Sequence, residues 1–386
     1  MTGNGKVRVL IVDDSAFMCR VLESIFRADP QMEVVGTARD GREAVSMAES
    51  LRPDVLTMDI NMPHMDGLQA TEVIMSTNPR PIVMVSSESR DGAEPTLKAL
   101  QLGAIDFVTK PSAAIDLDMN TVREELARKV KMAAKVRVVR TATRSALSNP
   151  APASETAAAA AAAAARNGAP AVRPAVSTTT NFAPQKNGVG FPVILLAAST
   201  GGPQTLMNFV PSFPANFPGA VLLVQHMPGA FTSQFAAQLG QTSRLKVKEA
   251  EQGELVRPSM IYVCPGSHHM RISPTGRITL DDGPRVEGYK PCVNLAMETM
   301  ATYAGPMGIG VVLTGMGTDG AKGAVAVKAA GGHVIAQDEA TSVIFGMPAE
   351  AIKTGAVDQI LPIDQIYAAI EKRVLYVYGA SRVGAL

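Results

Sequence analysis

The stretch Val7-Arg8-Val9-Leu10-Ile11-Val12-Asp13-Asp14-Ser15 decides the fold. Five of its first six residues are apolar, and they run straight into two carboxylates and a serine. A short run that is apolar on both faces is what a strand covered by helices on each side requires. A helical pattern follows over 16–28, and the alternation then repeats. Strands are expected at 33–38, 55–58, 82–86 and 106–109, and helices at 42–50, 68–77, 92–102 and about 121–140. Five strand–helix pairs in about 120 residues predict a parallel, doubly wound sheet.

Beyond residue 140 the composition turns to Ala, Pro, Ser, Thr and Asn, with unbroken alanine over 157–165. Nine alanines are marginal as an isolated helix because nucleation is costly, so this segment reads as a mostly disordered linker. After Gly190 the strand–helix rhythm returns. Strands are expected at 193–198, 220–225, 261–264, 310–313 and 333–336, with helices after Gly202 and Gly229 and a Gly/Ala-rich one over about 319–330. The predicted class is α/β: two doubly wound, flavodoxin-like or Rossmann-like domains with mostly parallel sheets, joined by a long linker. Their expected bounds are 7–126 and 190–382, with the end of a helix and the linker over 127–189.

A chain of 386 residues with 46% hydrophobic and 18% charged residues holds enough apolar material for two cores. Its 36 Lys and Arg against 35 Asp and Glu leave a net charge of +1, with no basic footprint for nucleic acid. Cys19, Cys264 and Cys292 are too scattered for a disulfide framework or a zinc site, and fit a reducing compartment. The apolar run at 9–12 stops at Asp13, far short of a signal peptide, and no run reaches the roughly 20 residues of a membrane span. A cytoplasmic protein without membrane insertion is expected.

In a doubly wound sheet the carboxyl ends of the strands converge on one edge. Asp13 and Asp14 close the first strand, Asp59 the third, Ser86 the fourth, and Lys110 the fifth just before Pro111. Any one Asp there is ordinarily a turn former or helix cap. Three converging carboxylates repel one another, which argues for a hard divalent ion such as Mg²⁺. With a carboxylate to attack phosphorus, and Ser86 and Lys110 to hold phosphoryl oxygens, the edge suits phosphoryl transfer.

These residues, together with Ile60-Asn61-Met62-Pro63, Met65-Asp66-Gly67 and Phe107-Val108-Thr109-Lys110-Pro111, resemble a two-component receiver domain. The resemblance implies that a histidine kinase phosphorylates Asp59, with Asp14, Asp59 and the Asn61 carbonyl on Mg²⁺ and Asp13 nearby. Ser86 and Phe107 are then the hydroxyl and aromatic switch positions, although Phe107 reads equally as core.

The second half carries a serine, a histidine and an aspartate, each after a strand. Ser199 ends Val193-Ile194-Leu195-Leu196-Ala197-Ala198 and is followed by Thr200-Gly201-Gly202, where backbone amides of the following residues suit an oxyanion. His226 ends the strand at 220–225, and Asp319 lies in Thr314-Gly315-Met316-Gly317-Thr318-Asp319-Gly320. Alone, Ser199 and Asp319 are helix caps. Together they suit acyl transfer: Ser199 as nucleophile, His226 as base, Asp319 as the group that orients it, and the Met316 and Gly317 amides as oxyanion donors. His268 and His269 are competing bases; His333 and His64 are remote from this pattern.

Ser199-Thr200-Gly201-Gly202, Gln225-His226-Met227-Pro228 and the 315–320 loop resemble the chemotaxis protein-glutamate methylesterase family, as does Cys264-Pro265-Gly266-Ser267-His268-His269-Met270. This implies hydrolysis of glutamate methyl esters and deamidation of glutamines on methyl-accepting chemoreceptors, with no cofactor for the hydrolase. The rival expectations are a receiver with a binding output, scaffold or transcriptional, and the same hydrolase in a pathway other than swimming. No basic recognition helix follows the linker to support a transcriptional output.

Overall fold

Residues 5–86, 90–110, 119–136, 138 and 190–383 are described by the computed structural model of the chain. The linker at 141–189 lies outside the described residues. The N-terminal elements are β1 (Val7–Val12), α1 (Ala16–Arg27), β2 (Met32–Ala38), α2 (Gly41–Leu51), β3 (Val55–Met58), α3 (Gly67–Thr77), β4 (Ile82–Ser86), α4 (Arg90–Gln101), β5 (Asp106–Thr109) and α5 (Met119–Ala133). Their strands form one parallel sheet in the order β2-β1-β3-β4-β5, the doubly wound arrangement expected.

Local chemistry sets the turns. Ser15 caps α1 by accepting from the Met18 N–H, Asp40 caps α2 from Arg42 and Glu43, and Asp66 forms a reciprocal capping box with Gln69 on α3. None of these caps is Asp13, Asp14 or Asp59, so the strand-end carboxylates are spared for other work. Helix α5 ends at Ala133, seven residues before its expected end. Its buried stripe, Leu126, Val130 and Ala133, stops there, and the β-branched Val136, Val138 and Val139 that follow are poor helix formers.

The C-terminal part comprises β6 (Val193–Ala198), α6 (Gly202–Phe209), β7 (Ala220–Gln225), α7 (Gly229–Thr242), β8 (Lys246–Glu249), β9 (Met260–Val263), β10 (His269–Ile272) and β11 (Ile278–Asp281). It continues with α8 (Val293–Ala304), β12 (Gly308–Val312), α9 (Ala321–Ala329), β13 (His333–Gln337), α10 (Met347–Lys353), β14 (Gln359–Leu361) and α11 (Ile363–Val383). Seven parallel strands run in the order β14-β13-β12-β6-β7-β9-β8, with β10 and β11 as a separate antiparallel hairpin. The chain leaves β6 toward β7 on one side and returns as β12 on the other, so the topological switch point lies at the carboxyl end of β6.

Seven of these elements were not expected: β8, β10 and β11 of the hairpin, α8, α10, β14 and α11. Strand β8 is a charged edge strand, Lys-Val-Lys-Glu, with little apolar signal. Helix α8 was legible, because Val293, Ala296, Met297, Met300 and Ala304 form a buried stripe at helical spacing. Helix α9 begins at Ala321 with Gly320 as its cap, so Asp319 is released from the capping role it would otherwise fill.

The two parts touch along α4, α6 and α7. Leu97, Leu100 and Gln101 of α4 face Pro203, Gln204 and Met207 of α6 and Phe235 and Gln238 of α7 across one narrow crevice. The rings of Phe107 and Phe231 meet across the same boundary, 4.5 Å between centroids. Among the described residues no helix is long and apolar enough to cross a membrane.

Within the C-terminal core, Phe213 packs edge-on against Phe209, Phe217 and Tyr367 at 5.6, 5.0 and 5.2 Å and is fully buried. Phe213→Ala is expected to destabilise this part by about 3–5 kcal/mol, read as a lower urea midpoint by circular dichroism.

Candidate active site

On the first sheet, backbone bonds align the strand ends: Asp59 N–H donates to Val12 O at 2.9 Å and Lys110 N–H to Ser86 O at 2.7 Å. Asp13 and Asp59 are buried and Asp14 is exposed, and each offers a carboxylate oxygen within 4.8 Å of the others. Lys110 Nζ lies 2.8 Å from both Asp13 Oδ2 and Asp59 Oδ2. Burial raises the Asp59 carboxyl above its usual range, against the pull of Lys110. Burial alone would lower the Lys110 ammonium, but Asp13 and Asp59 more than reverse this. Asp13 Oδ2 is buried with this ionic contact and no directed hydrogen bond, so it retains lone-pair capacity for a cation. Ser86 Oγ accepts from Thr96 Oγ1 of α4 at 2.9 Å, which ties the hydroxyl position to the helix at the boundary. Asn61 is exposed at the same edge.

The second sheet brings Ser199, His226 and the 314–319 loop to the switch point. His226 Nε2 is 2.8 Å from Asp319 Oδ2. The carboxylate can only accept, so the Nε2 proton lies in this bond and Nδ1 is left as the acceptor. Ser199 N–H donates to Thr314 O at 3.0 Å, and a Cβ on Gly315 would fall 2.8 Å from the Ser199 Cβ, so only glycine lets this loop lie against the serine. Among the described residues no hydrogen bond joins Ser199 to His226. Met316 and Gly317 N–H donate to no protein acceptor among the described residues, and both residues are half-buried.

Several residues that build this edge were not singled out from the sequence. Gln225 Nε2 donates to the carbonyls of both Ser199 and His226, at 2.9 and 3.1 Å, and so clamps the two strand ends. Asp319 is fully buried and sits at the N-terminus of α8, accepting from Val293 N–H at 2.7 Å, Asn294 N–H at 2.8 Å and Cys292 Sγ at 3.4 Å. Burial alone would raise its carboxyl, but His226 and the two amides hold it below its ordinary 3.8. Asp319 itself was expected as the orienting group, but its helix-start donors were not, because α8 was not expected.

The competing histidines go elsewhere. His268 Nδ1 pairs with Ser267 Oγ at 2.8 Å, His269 Nε2 donates to Pro284 O at 3.0 Å, and His333 Nδ1 lies 3.2 Å from Asp358. His64 is exposed in the N-terminal part.

At the boundary, Thr200 Oγ1 donates to Asp106 Oδ2 at 2.5 Å. Asp106 Oδ1 accepts from Phe107 N–H at 2.8 Å and from Lys129 Nζ at 3.2 Å. Lys129 also donates to Phe107 O at 2.8 Å and pairs with Glu125 at 3.3 Å. On the other side, Val343 packs against the N-terminal core and closely covers Gly201. The first part thus bonds, through Asp106, to the residue that follows Ser199, and packs on Val343, which covers the next.

A receiver-type acidic edge joined to an α/β domain with a Ser, His and Asp at its switch point defines a response regulator with an enzymatic second domain. Two family models match accordingly: a response regulator receiver domain over residues 9–121 and a CheB methylesterase over residues 194–370. A Pyrococcus abyssi protein named protein-glutamate methylesterase/protein-glutamine glutaminase is 43% identical over 387 residues, covering 100% of this chain and 98% of its own. The Thermotoga maritima protein of the same name is 40% identical over 359 residues, covering 92% and 95%. The solved catalytic domain of Thermotoga maritima CheB methylesterase covers 49% of this chain and 100% of its own at 40% identity, with a TM-score of 0.46. The chain belongs to the receiver-linked CheB methylesterase family.

Because the folded Asp319 carboxyl is held below its unfolded value, its contribution to stability is present above about pH 4 and is lost as pH falls through the lower folded value. Urea midpoints measured from pH 6 down to pH 3 should therefore decline less steeply in Asp319→Asn than in the parent chain.

Proposed function

We propose that this chain is a cytoplasmic, phosphorylation-regulated serine hydrolase that demethylates glutamate methyl esters, and deamidates selected glutamines, on chemoreceptors. The observation that carries this reading is the 2.8 Å bond from His226 to the buried Asp319 on the edge that also holds Ser199. Ser199 Oγ attacks the acyl carbon as His226 Nδ1 takes its proton, and the Met316 and Gly317 amides, free to donate, receive the oxyanion. His226 then returns the proton to the departing methanol or ammonia. A water deprotonated by His226 attacks the acyl-enzyme, releasing glutamate and restoring Ser199. The Ser199–His226 hydrogen bond closes when substrate is seated, as such bonds commonly do. Asp319, ionised at the start of α8, holds the imidazole plane and offsets its charge after proton transfer.

Asp59 is the phosphoacceptor for a histidine kinase. The free lone pair of Asp13 Oδ2 and the convergence of three carboxylates suit Mg²⁺, which Asp13, Asp14, Asp59 and the Asn61 carbonyl would hold. When bound, the ion neutralises charge on the incoming phosphoryl group. Lys110 and Ser86 take the phosphoryl oxygens. Since Ser86 is bonded to Thr96 of α4, a hydroxyl drawn toward a phosphoryl group pulls on the helix that packs on α6 and α7. Phe107 lies against Phe231 at the same boundary, so both switch positions bear on the contact that covers the Ser199 edge.

Methanol release from methylated receptor is the direct assay. Ser199→Ala should lower turnover by at least about 10³-fold, and a small-molecule phosphodonor with Mg²⁺ should raise it in the parent chain but not in Asp59→Asn. Release that ignores Ser199 would sink the hydrolase assignment, and release indifferent to phosphodonor would sink the switch. Asp106→Ala removes the charge-assisted bond to Thr200 without altering the Asp59 pocket. It should raise unphosphorylated turnover roughly tenfold, from the typical worth of such a bond.

A further inference from the structure

Tyr289 belongs to none of the motifs that drew attention in the sequence, yet it touches two parts of the catalytic edge at once. Its ring is stacked on the His226 imidazole, with centroids 4.9 Å apart and planes 19° from parallel. Its hydroxyl accepts from Thr318 N–H at 3.1 Å. The same hydroxyl sits where a Cβ on Gly317 would come within 2.1 Å, so the loop bearing the Met316 and Gly317 amides is shaped around it. The side chain is presented by a tight turn, with Val286 and Tyr289 exchanging backbone bonds at 3.0 and 2.9 Å and with Glu287 and Gly288 at φ 52° and 88°. Glu287 in turn pairs with Lys322 of α9, which anchors the turn to the helix after Asp319.

We propose that Tyr289 is a positioning residue for proton transfer at His226, an inference that rests on the assignment of Ser199, His226 and Asp319 given above. Asp319 fixes the imidazole at its edge and Tyr289 fixes it at its face, so between them ring rotation is closed off. The stack also has an electrostatic consequence. An aromatic face attracts a cation more strongly than a neutral ring, and His226 is cationic only once it has taken the Ser199 proton. The contact therefore strengthens on the way to the transition state, and its loss falls on kcat with KM unmoved.

The test is methanol release by the full phosphodonor-activated chain over a range of methylated-receptor concentrations, with Tyr289→Phe and Tyr289→Leu compared with the parent. Tyr289→Leu should lower kcat and kcat/KM together by roughly 3- to 30-fold, from the usual strength of a cation–aromatic contact. Tyr289→Phe keeps the stack, loses only the bond from Thr318, and should stay within about 3-fold of the parent. Should Tyr289→Leu fail to fold, Tyr289→Met, of similar length and flexible, carries the same expectation. A loss confined to KM, a Phe variant as impaired as the Leu variant, or no loss in Tyr289→Leu would each overturn the proposal. Ser199→Ala, run alongside, separates the two levels. If it remained active, the catalytic assignment itself would fail, whatever Tyr289 did.

Discussion

A carboxylate taken out of water must be given donors, and around Asp319 this requirement organises the whole catalytic edge. Its oxygens receive two amides from the first turn of α8, the thiol of Cys292 and the imidazole of His226. Helix α8 must therefore start at that spot and point its positive end at the loop after β12. The next residue of the loop is held in the same way, because Asn294 Oδ1 accepts from Gly320 and Gly323 N–H at 2.8 and 2.9 Å. The starts of α8 and α9 are thus fastened to each other, and the 315–320 loop between β12 and α9 has little freedom. Burial also sets the chemistry of Cys292, whose thiol is pushed up to about 12 and serves as a weak donor, not a nucleophile.

Much of the architecture was legible because parallel strands buried on both faces are written as unbroken apolar runs. The carboxyl ends of such runs are where Asp13, Asp14, Asp59, Ser86, Lys110, Ser199 and His226 were found, and the structure gathers them on two sheet edges. Asp319 was legible only by its company. Its neighbours Gly317 and Gly320 read as turn formers, and the helix start that receives it lies well upstream in the chain. Tyr289 was illegible for a different reason. It sits in a polar, glycine-containing turn with no periodicity, and its role comes from where that turn folds back in space. Gln225 closes a strand run and was quoted only as part of the Gln225-His226-Met227-Pro228 motif, where nothing marks it as a clamp.

The boundary between the two parts shows the same division between pattern and placement. Asp106 opens the expected strand at 106–109 with no role read for it there, while Lys129 is one cation in a charged helix. In the fold they form a buried ion pair under the Phe107 ring, and the lysine stands 5.5 Å from the ring centroid. The bond from Thr200 to Asp106 places a receiver carboxylate one residue from the serine. The covering contact is thus made at the active-site edge itself, with α4 packing beside it.

The way charge is shared across that boundary governs how the two parts come apart. Asp106, Glu125 and Lys129 all belong to the receiver and satisfy one another there, while the second domain contributes a neutral hydroxyl, with Arg285 acting on Glu125 through the field alone. Separation leaves the receiver's ion pairs intact within the receiver. What it wets is largely apolar, Phe107 and Phe231, Leu97, Leu100, Met207 and Phe235, with the amides of Gln101, Gln204 and Gln238 among them. Opening accordingly carries the thermodynamic signature of hydrocarbon hydration, an increase in heat capacity, with salt screening the Arg285–Glu125 attraction. Cooling weakens such a contact and warming strengthens it, up to the point where the domains themselves unfold.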